Sequence, residues 1–182
     1  MPRISIPALD QPPAATRPLL DAVKKQLGVV PNLMSVLGNS PAALGGYLAL
    51  SGTLAKGALG AKTGERIALA VAEINACAYC LAAHTYLSKN VAKLDDAEIA
   101  ANRAGASNDP KADAAVRFAA TVALERGHVS DAAVRAVKDA GYGDAEVMEI
   151  VVHVALNTLT NYVNEVAQTE IDFPAVDRKR AA

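Results

Sequence analysis

The sequence has no tryptophan, and aromatic residues make up only 4 % of it. It also lacks a charge bias. The formal net charge is −1, so there is no basic footprint for nucleic acid. The short DRKR run at 177–180 reads as a solvated tail rather than a binding patch. No apolar run reaches the length a membrane helix requires, and Glu73 cuts short the run that starts at Ile67. The opening MPRISIPALDQPPAA has no apolar core of the kind a secretory signal needs, so a cytoplasmic location is expected. No glycine-rich nucleotide loop is evident, which points away from a bound nucleotide cofactor. Cysteine is scarce: there are two, Cys77 and Cys80, together with three histidines. In a reducing compartment such a pair is more often redox-active or metal-binding than a structural staple.

What is abundant is alanine, within an apolar content of 52 % that also holds Leu, Val and Ile. Alanine has the highest helix propensity and lets helices cross closely. No segment alternates with the two-residue period of a strand. The expectation is a single all-α domain over residues 1–182, with 1–15 as an extended N-terminal arm and 175–182 as a flexible tail. In the arm, Ile4 and Ile6 are candidate buried contacts. A thioredoxin-like αβ fold is disfavoured, because its C-x-x-C follows a strand.

Helix signals punctuate the chain. Thr16 and Gly28 bracket a first helix, and a short one follows through Leu33 to Leu37. Ser40-Pro41 combines an N-cap with a first-turn proline. Thr63 reads as the next N-cap, with Glu65 and Arg66 in the first turn. That helix is expected to bend near Asn75–Cys77, making Cys77 a helix-start residue. Asp95 and Glu98 read as a capping box. Asp109-Pro110 and Ser130 start two more helices, and Asp144 opens a long last one, with Pro174 closing the ordered part. Residues 64–84 can be laid over 143–166 with Glu65 on Glu146, suggesting an internal pseudo-repeat of helices. In that register Ile67 meets Met148, Cys77 meets Thr158, Cys80 meets Asn161 and His84 meets Glu165.

The chemistry sits in the first copy. Cys77, Cys80 and His84 are spaced to share one side of a helix. Two thiols one turn apart at a helix start can close a disulfide if their side chains meet, and the unpaired N–H groups there favour a thiolate. His84, four residues past Cys80, and the upstream carboxylate Glu65 form a path for its proton. Zinc held by Cys77, Cys80 and His84 with Glu65 or water is the metal alternative, and two small buried residues the inert one. A structural zinc site normally has a second ligand cluster, which favours the redox reading. Glu73 is the runner-up carboxylate. His128 reads as a solvated turn residue, and His153 as a hydrogen-bonded core or interface residue. Tyr79 and Tyr86 are candidates for a pocket mouth.

Glu65, Cys77-Ala78-Tyr79-Cys80 and His84 resemble the E-x11-C-x-x-C-x3-H signature of the AhpD-like alkylhydroperoxidases, in the carboxymuconolactone decarboxylase superfamily. The runs PNLMSVLGNSPAALGGYLALSG and EIDFP look like its peroxidase-related branch, and the resemblance covers roughly Pro31 to Pro174. It implies an all-helical fold, a homo-oligomer (dimer, trimer or hexamer) and thiol peroxidase activity. Carried over by position, Cys80 is the peroxidatic thiol and Cys77 the resolving one, with His84 and Glu65 as proton relay. No cofactor or metal is implied; the partners are a peroxide and an external thiol or dithiol. Tyr79 stands where better-studied members carry histidine, and cannot serve as a base near neutral pH. The competing readings are a decarboxylase-like lyase, which needs no dithiol, and a non-enzymatic redox sensor or disulfide-exchange protein.

Overall fold

The structure is a computed structural model, and it describes residues 2–6 and 12–176. The basic run at 177–180, and most of the expected tail, lie outside the described residues. Among the described residues there are nine helices and no strand. They are α1 (Arg17–Leu27), α2 (Asn32–Leu37), α3 (Pro41–Leu54), α4 (Ala61–Ile74), α5 (Ala78–Asn90), α6 (Asp96–Arg103), α7 (Pro110–Leu124), α8 (Asp131–Asp139) and α9 (Asp144–Ala167).

Several helix starts follow from side chains that satisfy first-turn N–H groups. Ser40 accepts from the Ala43 amide, Asp95 from Glu98, Asp109 from Lys111 and Ala112, and Ser130 from Ala133. Gly28 ends α1 in the left-handed conformation, where the missing Cβ removes the strain. Thr16 precedes α1 as expected, but its buried hydroxyl makes no capping bond.

The expected start of α4 is displaced. The helix begins at Ala61 behind Gly60, whose φ of +79° suits glycine, so Thr63 lies inside the helix and Glu65 is past its first turn. The Asp95–Glu98 box is also one-sided. Asp95 caps α6, but the Glu98 carboxylate turns away to accept from Arg66, Asn102, Ser107 and the Asn108 amide.

Helix α4 is the centre of the packing and touches α5, α6, α7 and α9. Ile67 through Ala72 are all buried, so this stretch of the helix is apolar around its whole circumference. Burial of Ile67, Leu69 and Val71 stabilises by about 1.5–3 kcal/mol each, and the intervening alanines keep neighbouring helices close. Ile67 and Val71 pack with Ala115, Phe118 and Ala119 of α7 and Ile150 of α9. On the other side Ala72, Cys77, Cys80 and Leu81 share a core with Leu33, Leu37 and Leu44. The Arg66–Glu98 ion pair, 2.7 Å long with both side chains 8 % exposed, pins α4 to α6.

Helix α9 is unbroken, unlike the α4–α5 pair it matches in the pseudo-repeat. Met148, which falls on the fully buried Ile67 in that register, is 58 % exposed. At the N-terminus, the Arg3 amide bonds the Ala167 carbonyl and the Asn39 side chain bonds the Ser5 carbonyl. Ile4 is exposed rather than buried. At the other end Phe173 and Val176 pack against the core, so the chain remains anchored beyond Pro174. No helix among the described residues is long and apolar enough to cross a membrane.

Candidate functional site

The site begins where α4 stops. The Ala76 amide bonds the Glu73 carbonyl and the Cys77 amide bonds the Ala72 carbonyl, each at 3.0 Å. These are the paired bonds of a Schellman ending, with Ala76 at φ +52° in the left-handed position glycine usually takes. The residue that completes this ending also starts the next helix. Cys77 is the N-cap of α5, and its sulfur accepts from the Cys80 amide at 3.3 Å. The expected bend is therefore present at Asn75–Cys77, and the chain doubles back so that α5 packs along α4.

Cys77 and Cys80 form a disulfide, with Cα atoms 5.3 Å apart. Both residues are nearly closed to solvent, at 0 % and 3 % exposure. One turn further along α5, His84 Nδ1 lies 2.9 Å from Glu65 Oε2 of α4. Their side chains are 21 % and 23 % exposed, so this pair reaches solvent where the sulfurs do not. With Nδ1–H donating to the carboxylate, Nε2 is left as the ring's acceptor. All four residues singled out by the sequence thus fall on two packed helices, with the disulfide at the joint and the His84–Glu65 pair beside it.

Other candidates are diverted. Glu73 accepts from Arg103 Nε at 2.6 Å and is committed to α6 rather than to the thiols. Tyr79 is buried, not at a mouth. Its hydroxyl accepts from the Leu33 amide at 3.2 Å, and its ring meets Phe173 edge-on with centroids 5.7 Å apart. Burial raises its phenol well above the ordinary value; the Leu33 N–H opposes this and Asp172 adds to it. Tyr79 therefore stays protonated and acts as a strut between α5, α2 and the closing segment. Tyr86 is 43 % exposed and near Phe173. His128 is exposed as expected. His153 is half-buried against α4, where a Cβ added at Gly64 would come within 2.9 Å of its Cε1. Burial lowers its pKa, opposed by the charges of Glu149 and Glu65. Among the described residues no group of three or more His, Cys, Asp and Glu side chains could hold a metal ion.

One site residue escaped the sequence reading. Asn164 of α9 donates from Nδ2 to Cys80 Sγ at 3.3 Å. Its neighbour Asn161 accepts from Asn75 Nδ2 at 2.9 Å, beside the helix joint. A signal was present: Asn157, Asn161 and Asn164 recur at helical spacing within an apolar helix, and all three are buried. Buried amides at such spacing must find partners.

The fold is shared with known proteins. Residues 41–121 match the carboxymuconolactone decarboxylase family. The chain is similar to a solved structure of an uncharacterized peroxidase-related protein from Ralstonia eutropha JMP134, described as an alkylhydroperoxidase AhpD core. The TM-score is 0.84 at 23 % identity, over 94 % of this chain and 92 % of that one. A peroxidase-related protein from Silicibacter sp. TM1040 matches with a TM-score of 0.81 at 22 % identity, over 93 % and 91 %. The debrominase Bmp8, solved as a C82A variant with 2,3,4-tribromopyrrole, matches with a TM-score of 0.73 at 16 % identity, over 87 % and 86 %. No curated protein matches the chain. The segment that carries Glu65, Cys77, Cys80 and His84 thus matches the carboxymuconolactone decarboxylase family, and the chain has an AhpD-like fold.

Proposed function

We propose that this chain is a thiol-dependent peroxidase that reduces hydrogen peroxide or alkyl hydroperoxides through the Cys77–Cys80 pair. The observation that supports it most is the disulfide at the α4–α5 joint, with an imidazole–carboxylate pair one turn away. A peroxidase of this type needs a nucleophilic sulfur, a second thiol in reach and a group that moves protons.

In the reduced protein the Cys80 thiolate attacks the terminal oxygen of the hydroperoxide. The S–O bond forms as the O–O bond breaks. The alkoxide leaves and takes a proton relayed through His84, giving an alcohol and a sulfenic acid on Cys80. The Cys77 thiol then displaces hydroxide from that sulfur; water leaves and the disulfide forms. An external thiol or dithiol reduces the disulfide by exchange and is itself oxidised to a disulfide. The closure of both sulfurs favours small peroxides. Assembly into a homo-oligomer belongs to the same reading.

Stopped-flow oxidation of the reduced protein, with mass spectrometry of the products, tests the proposal. Hydrogen peroxide and an organic hydroperoxide should each yield a Cys77–Cys80 disulfide. Cys80→Ser should abolish oxidation, and Cys77→Ser should leave a sulfenic acid that dimedone traps. A Cys80→Ser variant that still consumes peroxide at the original rate would sink this mechanism. The likeness to a debrominase supplies a second reading, in which the same dithiol supplies two electrons to replace carbon–bromine by carbon–hydrogen and release bromide. A brominated pyrrole in the same assay separates the two.

A further inference from the structure

The start of α5 poses an electrostatic problem for the proposed chemistry. The helix-start amides favour a charge on the N-cap sulfur, and the N-cap is Cys77, not Cys80. The Cys80 amide points its hydrogen at Cys77 Sγ. Left to the helix alone, Cys77 would ionise first, and the attacking and resolving roles would be exchanged.

Cys80 has its own donor from elsewhere in the fold. Asn164 is 3 % exposed, and its amide N–H reaches Cys80 Sγ across 84 residues of sequence. Its Oδ1 is buried and has no hydrogen-bond partner among the described residues, so the contact to sulfur is what orients this amide. Neighbouring packing fixes the position. Val163 packs against the core that holds both cysteines, and Asn161 is tied to Asn75 at the joint. The Asn164 carbonyl also takes the Gln168 and Thr169 amides that close α9.

We infer that Asn164 selects which thiol ionises: its side-chain N–H stabilises the Cys80 thiolate specifically and makes Cys80 rather than Cys77 the nucleophile. A buried neutral donor suits this task, because it favours the anion without adding a charge that would be costly once the disulfide forms. The inference rests on the peroxidase reading for its use, but the ionisation preference can be measured without any peroxide.

The experiment is the pH dependence of iodoacetamide alkylation of each thiol in the reduced protein, resolved by peptide mass spectrometry. In Asn164→Leu the Cys80 pKa should rise by about one unit, slowing its alkylation about tenfold below that pKa, as loss of a hydrogen bond to a charged group implies. The Cys77 profile should not move. Asn164→Asp keeps the shape of the side chain and faces the sulfur with a carboxylate, so it should raise the Cys80 pKa at least as far. In the unaltered reduced protein, the 15N-labelled side-chain amide of Asn164 should shift with the Cys80 titration. An unmoved Cys80 profile in a folded variant, or an amide signal indifferent to that titration, would overturn the inference. A raised Cys80 pKa in a protein that never consumed peroxide would instead overturn the peroxidase reading and leave the role of Asn164 standing.

Discussion

Glu98→Gln should unfold the protein several degrees earlier, and the size of the effect can be worked out from one carboxylate. Burial alone would push the Glu98 carboxyl up. The Ser107 hydroxyl, the Asn108 amide, Asn102 and Arg66 together more than offset this and hold it at about 2. Moving the group from an ordinary 4.5 to about 2 corresponds to about 3 kcal/mol at 1.36 kcal/mol per pH unit. Breaking a buried ion pair by removing one partner costs about 3–5 kcal/mol, which agrees. Glutamine keeps the shape but removes the charge, leaving the buried Arg66 with Asp109, at 3.8 Å, as its carboxylate among the described residues. For a chain of this size, about 3 kcal/mol lowers Tm by about 6–12 °C, readable by circular dichroism. The sign with pH is definite. The carboxyl is depressed in the folded state, so its stabilisation is complete above about 4.5 and is lost as pH falls through about 2. The gap between wild type and variant should therefore narrow in acid. A Tm unchanged within a degree, or a gap constant with pH, would refute the reasoning.

Three further outcomes follow from the site. Glu65→Gln and His84→Ala should each slow the oxidation of reduced Cys80 by about 10²–10⁴-fold if they relay the proton, and the double variant should be little worse than either alone; stopped-flow rates that simply multiply would argue for two separate roles. Tyr79→Phe strands the buried Leu33 amide and should cost about 1–3 kcal/mol in urea unfolding while the Cys80 alkylation profile stays put. Gly64→Ala places a methyl against the His153 ring and should destabilise by about 1–3 kcal/mol, an effect that a second change, His153→Ala, relieves; equal losses with and without the histidine ring would show that the clash is not the cause.

Much of the architecture was legible because it is local. Ser40, Asp95, Asp109 and Ser130 cap helices with their own side chains a few residues away, and a sequence shows such pairs directly. The break at Asn75–Cys77 was legible for the same reason, as was the all-α class. What was misread depends on contacts between distant segments. Thr63 had the right chemistry for a cap, but Gly60, at positive φ, had already turned the chain and the helix had begun. Glu98 sat at the right offset from Asp95, yet a buried arginine 32 residues upstream took its carboxylate. Glu73 was lost to Arg103 in the same way. Asn164 could not be assigned to Cys80 by offset, because the pseudo-repeat places Asn161 there and the true partner lies one turn further on.

The positive φ of Ala76 has a consequence for how the sulfurs are held. A straight rod would bury Cys77 among carbonyls and amides already engaged with each other, and its sulfur would find nothing to accept. The corner frees one amide and hands it to that sulfur, and it folds the outgoing rod back until an acid from the incoming one can grip a ring on the outgoing one. Straightening that single residue would dismantle the cap and the clasp together, although neither involves its own methyl group.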